Sequence, residues 1–195
     1  MWIRHLAGML ATAAMCAGAS AAISVGVFDA KAAGGRGYGE RGIYQALSEH
    51  PQFAAELFPS ITTETLGKYD AVVFANVYEP GEQVDGWQQL LRTYVEGGGG
   101  VIVTHNCSAV KCPETFPEVD GGIEKYVGQH IASFENHPIT FGITAFDTAF
   151  GDHRIINPGS AAEVLMRNSV DRPAGVAGGV GQGRVARLGP CIGLS

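Results

Sequence analysis

The fold is decided by the stretch from Tyr69 to Cys107, which begins Y-D-A-V-V-F-A-N and ends E-G-G-G-G-V-I-V-T-H-N-C. Two short apolar runs, Ala71–Ala75 and Val101–Val103, flank a segment with helical periodicity. A continuous apolar run is typical of a parallel strand, because helices cover both faces of its sheet. The stretch therefore predicts a strand, a helix and a second strand of one parallel sheet.

The segment between the two runs carries its large apolar side chains on one helical face. A helix over residues 85–96 would have Asp85 as its N-cap and Gly97 as its stop. The residues on the apolar face are Trp87, Leu90, Leu91, Tyr94 and Val95.

The rest of the chain continues the alternation of strands and helices, which predicts an α/β domain with a mainly parallel sheet and right-handed crossovers. Asp152 and His153 fall in a predicted loop. We expect further strands at Ile23–Phe28, Gln52–Phe58, Tyr126–His130, Ala161–Met166 and Arg184–Leu188, and helices at Ile43–His50 and Thr62–Leu66.

Polar residues follow both central strands: Asn76 after the first and Thr104–Cys107 after the second. Ligands of open α/β sheets bind just beyond the carboxyl ends of the strands. A neutral imidazole at position 105 can donate and accept hydrogen bonds, as sugar hydroxyls require, although a core histidine bonded to backbone fits equally well. The candidate cleft residues are Asn76, His105, Asn106, His137 and Asp152.

Length, composition and charge limit the kinds of partner that this chain can have. The chain has 195 residues, 46% of them apolar, and a formal net charge of −6, which fits one domain with a full core. No basic patch is visible, so we expect no nucleic-acid partner. The expected partner is a small-molecule ligand; the sequence leaves the oligomeric state open.

The first 21 residues predict a signal peptide. Arg4 and His5 precede the apolar stretch Leu6–Ala17, and Ala19-Ser20-Ala21 is an A-x-A cleavage signal. A buried N-terminal helix is the alternative. We expect a secreted or periplasmic protein without a stable membrane span after cleavage, whose domain occupies residues 22–195. The final residues resemble a strand exit, which suggests that the domain continues beyond them.

Cys107 has two interpretations. In an oxidising compartment Cys107 and Cys112 are the expected disulfide pair, because a turn separates them. Alternatively, Cys107 is a catalytic nucleophile served by a histidine and an acid. The available partners are His130, His137, His153, Glu135 and Asp152. The lone cysteines lack zinc-ligand spacing, so no metal site is expected.

A glycine-rich loop matches G-x-G-x-x-G at residues 37–42. The match is poor for a dinucleotide site, because the loop does not follow the first strand immediately and no acidic residue ends the second. We expect a loop at the rim of the cleft, with Arg36 and Tyr38 as possible ligand contacts, and no cofactor.

Several segments together resemble ThuA-like proteins of the class I glutamine amidotransferase-like superfamily. The most specific are the glycine-rich strand ending in His105 and the H-P-I-T-F-G element at residues 137–142. The other matching segments are residues 69–74, 146–153 and 181–185. The resemblance covers residues 23–188 and implies a flavodoxin-like three-layer sandwich.

The same resemblance implies a role in carbohydrate binding or processing. It does not imply an intact glutaminase triad, because Cys107 follows the expected nucleophile position by two or three residues and no histidine occurs after His153. Two alternatives stay open: a Cys107-dependent hydrolase or amidotransferase, and a non-catalytic domain of a larger exported protein.

Overall fold

The structure, a computed structural model, describes residues 21–79 and 86–194. Within these ranges a nine-stranded sheet, a two-stranded sheet and four α-helices form. The strands are β1 Ile23–Phe28, β2 Phe53–Phe58, β3 Ala71–Ala75, β4 Gly100–Thr104, β5 Asp120–Val127, β6 His130–Phe134, β7 Phe146–Asp147, β8 Asp152–Pro158, β9 Ala162–Asn168, β10 Pro173–Val180 and β11 Gly183–Leu188. The helices are α1 Glu40–Ser48, α2 Thr63–Leu66, α3 Trp87–Glu96 and α4 Cys112–Thr115, with a 3-10 turn at Pro138–Thr140.

The large sheet is mixed, with the strand order β2-β1-β3-β4-β11-β10-β9-β6-β7. Its first five strands are parallel, and β10, β9, β6 and β7 join by antiparallel pairing. The α/β class is confirmed, but a mainly parallel sheet is correct for only half of it. The reason is the tight turn between β10 and β11, where Val180 pairs with Gly183 and reverses the chain.

The central stretch forms the elements that its pattern predicts. β3 has the predicted bounds, β4 begins one residue early at Gly100, and α3 covers Trp87–Glu96. The predicted N-cap Asp85 lies outside the described residues. The predicted strand Tyr126–His130 is wrong, because β5 ends at Val127 and β6 begins at His130.

Helices pack on both faces of the parallel half, and β3 shows how. Val72 and Phe74 belong to the core that α3 covers, whereas Val73 belongs to the core beneath α1. Successive side chains of a strand point to opposite faces, so a strand buried on both sides must be apolar throughout. Each fully buried side chain of this size contributes roughly 1.5–3 kcal/mol. Among the described helices, none is both long and apolar enough to cross a membrane.

The register brings three strand ends together. Ala75 of β3 and Leu188 of β11 both pair with Thr104 at the end of β4. The residues that follow these strands therefore leave the sheet side by side, at the edge where parallel strands place ligands. We call this the carboxyl edge.

Candidate functional site

Two residues at the carboxyl edge turn the chain out of the sheet through left-handed backbone. Asn76 has a φ of 39° and His105 a φ of 48°. Residues other than glycine rarely adopt this conformation, and such positions cluster at functional sites. The turns are fixed by a hydrogen bond from the Asn76 backbone N–H to Thr104 Oγ1 (3.2 Å) and one from the His105 N–H to the Leu188 carbonyl (2.7 Å).

Strand β8 brings Asp152 to the same edge. The Arg154 N–H donates to the Gly189 carbonyl at 3.0 Å, which ties β8 to the end of β11. A Cβ at position 189 would overlap the Arg154 carbonyl oxygen, so only glycine allows the approach. Asp152 was predicted to lie in a loop, which is wrong, because it begins a strand whose partner β5 is distant in sequence.

The three polar residues form one hydrogen-bonded network, which we call the Asn76–His105–Asp152 network. His105 Nδ1 lies 3.2 Å from Asn76 Oδ1, and His105 Nε2 lies 3.3 Å from Asp152 Oδ1. Lys125 Nζ is 3.0 Å from Asp152 Oδ2. Asn76 and His105 are buried, and the side chains of Asp152 and Lys125 are 19% and 61% exposed. The network therefore runs from the interior to the surface.

Protonation in the network follows from burial and charge. Burial lowers the pKa of His105, and the guanidinium of Arg154 lowers it further, against the opposing effect of Asp152. Burial raises the pKa of Asp152, but hydrogen bonds from Lys125 and His105 outweigh it and leave that pKa below its ordinary value. At neutral pH the imidazole is therefore neutral and the carboxylate is ionised.

These charge states decide how Asn76 is oriented. Ionised Asp152 can only accept, so His105 Nε2 carries the proton and Nδ1 must accept. Asn76 then presents its amide nitrogen to His105, since the two ends of an amide differ only by a rotation. With Oδ1 on His105 the Asn76 amide nitrogen donates to the Cys191 sulfur and lowers the pKa of that thiol; rotating the amide turns its oxygen to the thiol instead. Burial raises the pKa of Cys191 to about 12, so this thiol is protonated and can donate.

Aromatic rings cover the outer side of the network. Phe150 lies 5.6 Å from the His105 ring and 6.0 Å from the Tyr38 ring, between ring centroids. Tyr38 stacks on Tyr78 at 5.6 Å and is 47% exposed. We call Tyr38, Tyr78 and Phe150 the aromatic rim.

The glycine-rich loop reaches this rim through backbone pairing and close packing. Arg36 forms an antiparallel bridge with Glu79, which places Tyr38 beside Tyr78. Arg36 itself pairs with the Glu79 carboxylate at 3.3 Å, and both side chains are exposed. A Cβ at Gly39 would overlap the carbonyl oxygen of Ile192. Glycine at position 39 therefore lets the C-terminal segment pack closely against this loop.

Cys107, Cys112 and Cys191, the cysteines of the described residues, are buried. Cys107 and Cys112 are free thiols in the same core cluster, and burial raises the pKa of both. No histidine or carboxylate contacts the Cys107 thiol among the described residues, so it lacks an activating base in this structure. Their pairing as a disulfide stays a prediction.

The other predicted residues lie apart from the network. His137 accepts from the Ile139 N–H at 3.1 Å and lies 3.4 Å from Glu163, so its imidazole bonds backbone instead of facing the carboxyl edge. It lines an open groove of about 990 Å³ near the amino ends of the parallel strands, away from His105. Asn106, at the carboxyl edge, has no side-chain hydrogen bond within the described ranges. His130 pairs with Asp147 at 2.9 Å.

Four residues of this edge were not predicted from the sequence: Lys125, Tyr78, Phe150 and Cys191. Tyr78 follows β3 by three residues, so its position beyond a strand end could have identified it as a candidate site residue. Lys125 reaches Asp152 only through the pairing of β5 with β8, which no local pattern shows.

The protein is thus an α/β domain with a polar network and an aromatic rim at its carboxyl edge. No protein-family model matches the chain, and no curated protein sequence matches it. Solved structures show similarity in fold alone, at low sequence identity.

A ThuA-like protein from Bacteroides uniformis ATCC 8492 matches with a TM-score of 0.52 and 14% identity, over 91% of this chain and 86% of that one. A GMP synthase subunit from Thermoplasma acidophilum matches with a TM-score of 0.55 and 11% identity, over 86% and 83%. An exo-β-1,4-mannosidase from Opitutaceae bacterium strain TAV5 gives 0.56 and 14%, over 87% of this chain and only 31% of that enzyme. At 11–14% identity these matches show that the fold of this chain recurs in all three proteins.

Proposed function

We propose that this chain is an exported ThuA-like domain, with a flavodoxin-like three-layer core, that binds or processes a carbohydrate at the carboxyl edge. The observation that carries the proposal is the Asn76–His105–Asp152 network beside the aromatic rim. Sugar ligands need a few fixed hydrogen-bonding groups and an apolar ring surface, and small-molecule sites combine both.

Each part of the site has a distinct role in this proposal. Asp152, held by His105 and Lys125, presents an ionised carboxylate that accepts hydrogen bonds from sugar hydroxyls. His105 acts as a positioning residue, because both of its ring nitrogens already have protein partners. Tyr38, the exposed member of the rim, offers a ring for stacking.

The fold similarities support a carbohydrate ligand only indirectly. One similar structure is a ThuA-like protein, and another is a mannosidase in which this fold forms about a third of the chain. The mannosidase match also favours a second candidate, a non-catalytic domain within a larger exported protein. The rival hydrolase based on Cys107 has no comparable support, because that thiol is buried and unactivated.

Isothermal titration of neutral mono- and oligosaccharides tests the proposal. Asp152→Asn should weaken the best-binding saccharide roughly tenfold or more, because a hydrogen bond to a charged group contributes about 1.5–3 kcal/mol. Asp147→Asn is the matched control, since Asp147 is exposed and pairs with His130 outside the network.

The control should bind as the wild type does. Equal affinities for wild type and Asp152→Asn would place the ligand elsewhere. If the wild type binds no saccharide but shows a hydrolase activity that Cys107→Ser abolishes, the hydrolase would be favoured instead.

A further inference from the structure

Among the described lysines and arginines that are not fully exposed, only Arg154 has no carboxylate partner. The residue is half-buried, and its Nε is one of two buried side-chain donors of the described residues without an acceptor, the other being Nη1 of Arg187, whose Nε pairs with Asp120. The other arginines of this group are all paired with carboxylates: Arg92 with Glu96 and Glu118, Arg167 with Glu135, Arg172 with Glu124 and Arg187 with Asp120. What sets Arg154 apart is a guanidinium without a counter-charge, and its two Nη groups, unlike Nε, are not among the buried unpaired atoms and can meet an anion from outside.

The position of Arg154 shows where that acceptor would lie. In the register of β5 and β8, Arg154 pairs with Lys125, and Asp152 lies two residues earlier on the same face of β8. Lys125 already reaches Asp152 at 3.0 Å, and Arg154 acts electrostatically on His105. Arg154 therefore borders the Asn76–His105–Asp152 network.

Cations are concentrated at this edge of an acidic chain. Lys125, Arg154 and Arg187 are the cations around His105, and Asp152 and Asp120 are the carboxylates. The buried carboxyl of Glu40 acts on Cys191 at the same edge. The chain as a whole carries −6. Arg187 is only 1% exposed and held by Asp120, so it adds positive potential but cannot meet a ligand. Of these three cations, Arg154 and Lys125 are within reach of a ligand.

We propose that the ligand of this edge carries an anionic group, a carboxylate or a phosphate, which Arg154 binds with Lys125 as the second cation. The planar guanidinium matches either anion through paired N–H donors. This inference rests on the proposed function and narrows its ligand from sugars in general to acidic sugars.

Titration calorimetry at low salt with glucose, glucuronate, glucose 6-phosphate and inorganic phosphate tests the proposal. Wild type should bind one of the two acidic sugars about tenfold or more tighter than glucose, and the preferred one identifies the anion as carboxylate or phosphate. Arg154→Gln should abolish the preference while glucose affinity stays the same. Arg184→Gln removes the same charge from an exposed position near the amino end of β11 and should keep the preference.

Unfolding provides an independent measurement. Without ligand, Arg154→Gln should leave the melting temperature unchanged or raise it, because it removes an unpaired buried donor. A marked fall would overturn the proposal, since Arg154 would then have a partner within the protein.

The outcomes separate this inference from the proposed function. Equal affinity for glucose and both acidic sugars would overturn the anionic ligand and leave carbohydrate binding intact. Binding of inorganic phosphate that depends on Arg154, without binding of any sugar, would support the anion site and contradict the carbohydrate proposal. No binding of any of the four compounds would contradict both.

Discussion

His153 shows how one residue of this fold is held in a single charge state. It is fully buried, and its Nδ1 lies 2.8 Å from the Gly128 carbonyl and its Nε2 3.2 Å from Asn168 Nδ2. The Asn168 oxygen accepts the backbone N–H groups of Val170 and Arg172, which fixes its amide nitrogen as the donor to His153. The imidazole is therefore neutral, with its proton on Nδ1.

This arrangement predicts a loss of stability in mild acid. Burial lowers the pKa of folded His153, whereas the unfolded chain takes up a proton near the ordinary value of about 6.5. The stability that neutral His153 contributes is complete above about pH 6.5 and is lost as the pH falls towards the lowered folded pKa. His153→Gln cannot take up this proton, so its melting temperature should fall less steeply between pH 7.5 and 5.5. A variant with the slope of the wild type would contradict the assignment.

The cysteines of the core give a second prediction for single residues. If the protein is exported, Cys107 and Cys112 should pair, and closing this short loop should contribute on the order of 2–3 kcal/mol, less any strain. Peptide mapping under non-reducing conditions decides this. Two free thiols in protein secreted into an oxidising compartment would remove the disulfide.

The elements differ in how far the sequence could predict them. β3, β4 and α3 follow from local patterns, because an apolar run or a helical face is visible within a few residues. The pairing of β5 with β8 could not be predicted, since it joins segments far apart in sequence and β5 is mostly exposed. Asn76 and His105 were predictable as neighbours from the strand ends. The contact of His105 with Asp152 depends on the pairing of β5 with β8, which could not be predicted.

At the scale of elements, the junction between α1 and the C-terminal segment can be tested through Gly42. A Cβ at Gly42 would overlap the carbonyl oxygen of Gly193, which is backbone and cannot swing aside. Alanine normally favours a helix over glycine by about 0.8–1 kcal/mol. Gly42→Ala should nevertheless destabilise the protein by roughly 1–3 kcal/mol, because it overpacks this contact.

Gly179→Ala in β10 is the control for this substitution, because its Cβ would meet open space. Chemical denaturation compares the two variants. If Gly42→Ala is the more stable protein, the C-terminal segment does not pack on α1, and Cys191 would not be held against Asn76.

For the whole molecule, the first prediction concerns export. The A-x-A signal predicts cleavage after Ala21, and β1 begins at Ile23, so cleavage there leaves the sheet intact. Protein recovered from a secreting host should begin at Ala22 by N-terminal sequencing. Recovery of mature protein that retains Met1 would contradict the signal peptide and favour a structural N-terminal helix.

The central claim is that the carboxyl edge, and not the groove near the amino ends of the strands, binds the ligand. The most direct measurement is amide chemical-shift mapping of the protein during titration with the saccharide that binds best. We predict shifts concentrated at Asn76, His105, Lys125 and Phe150–Asp152. Shifts concentrated at the groove residues Gly97–Ile102 and Gln182–Ala186, with the carboxyl edge unchanged, would contradict this claim.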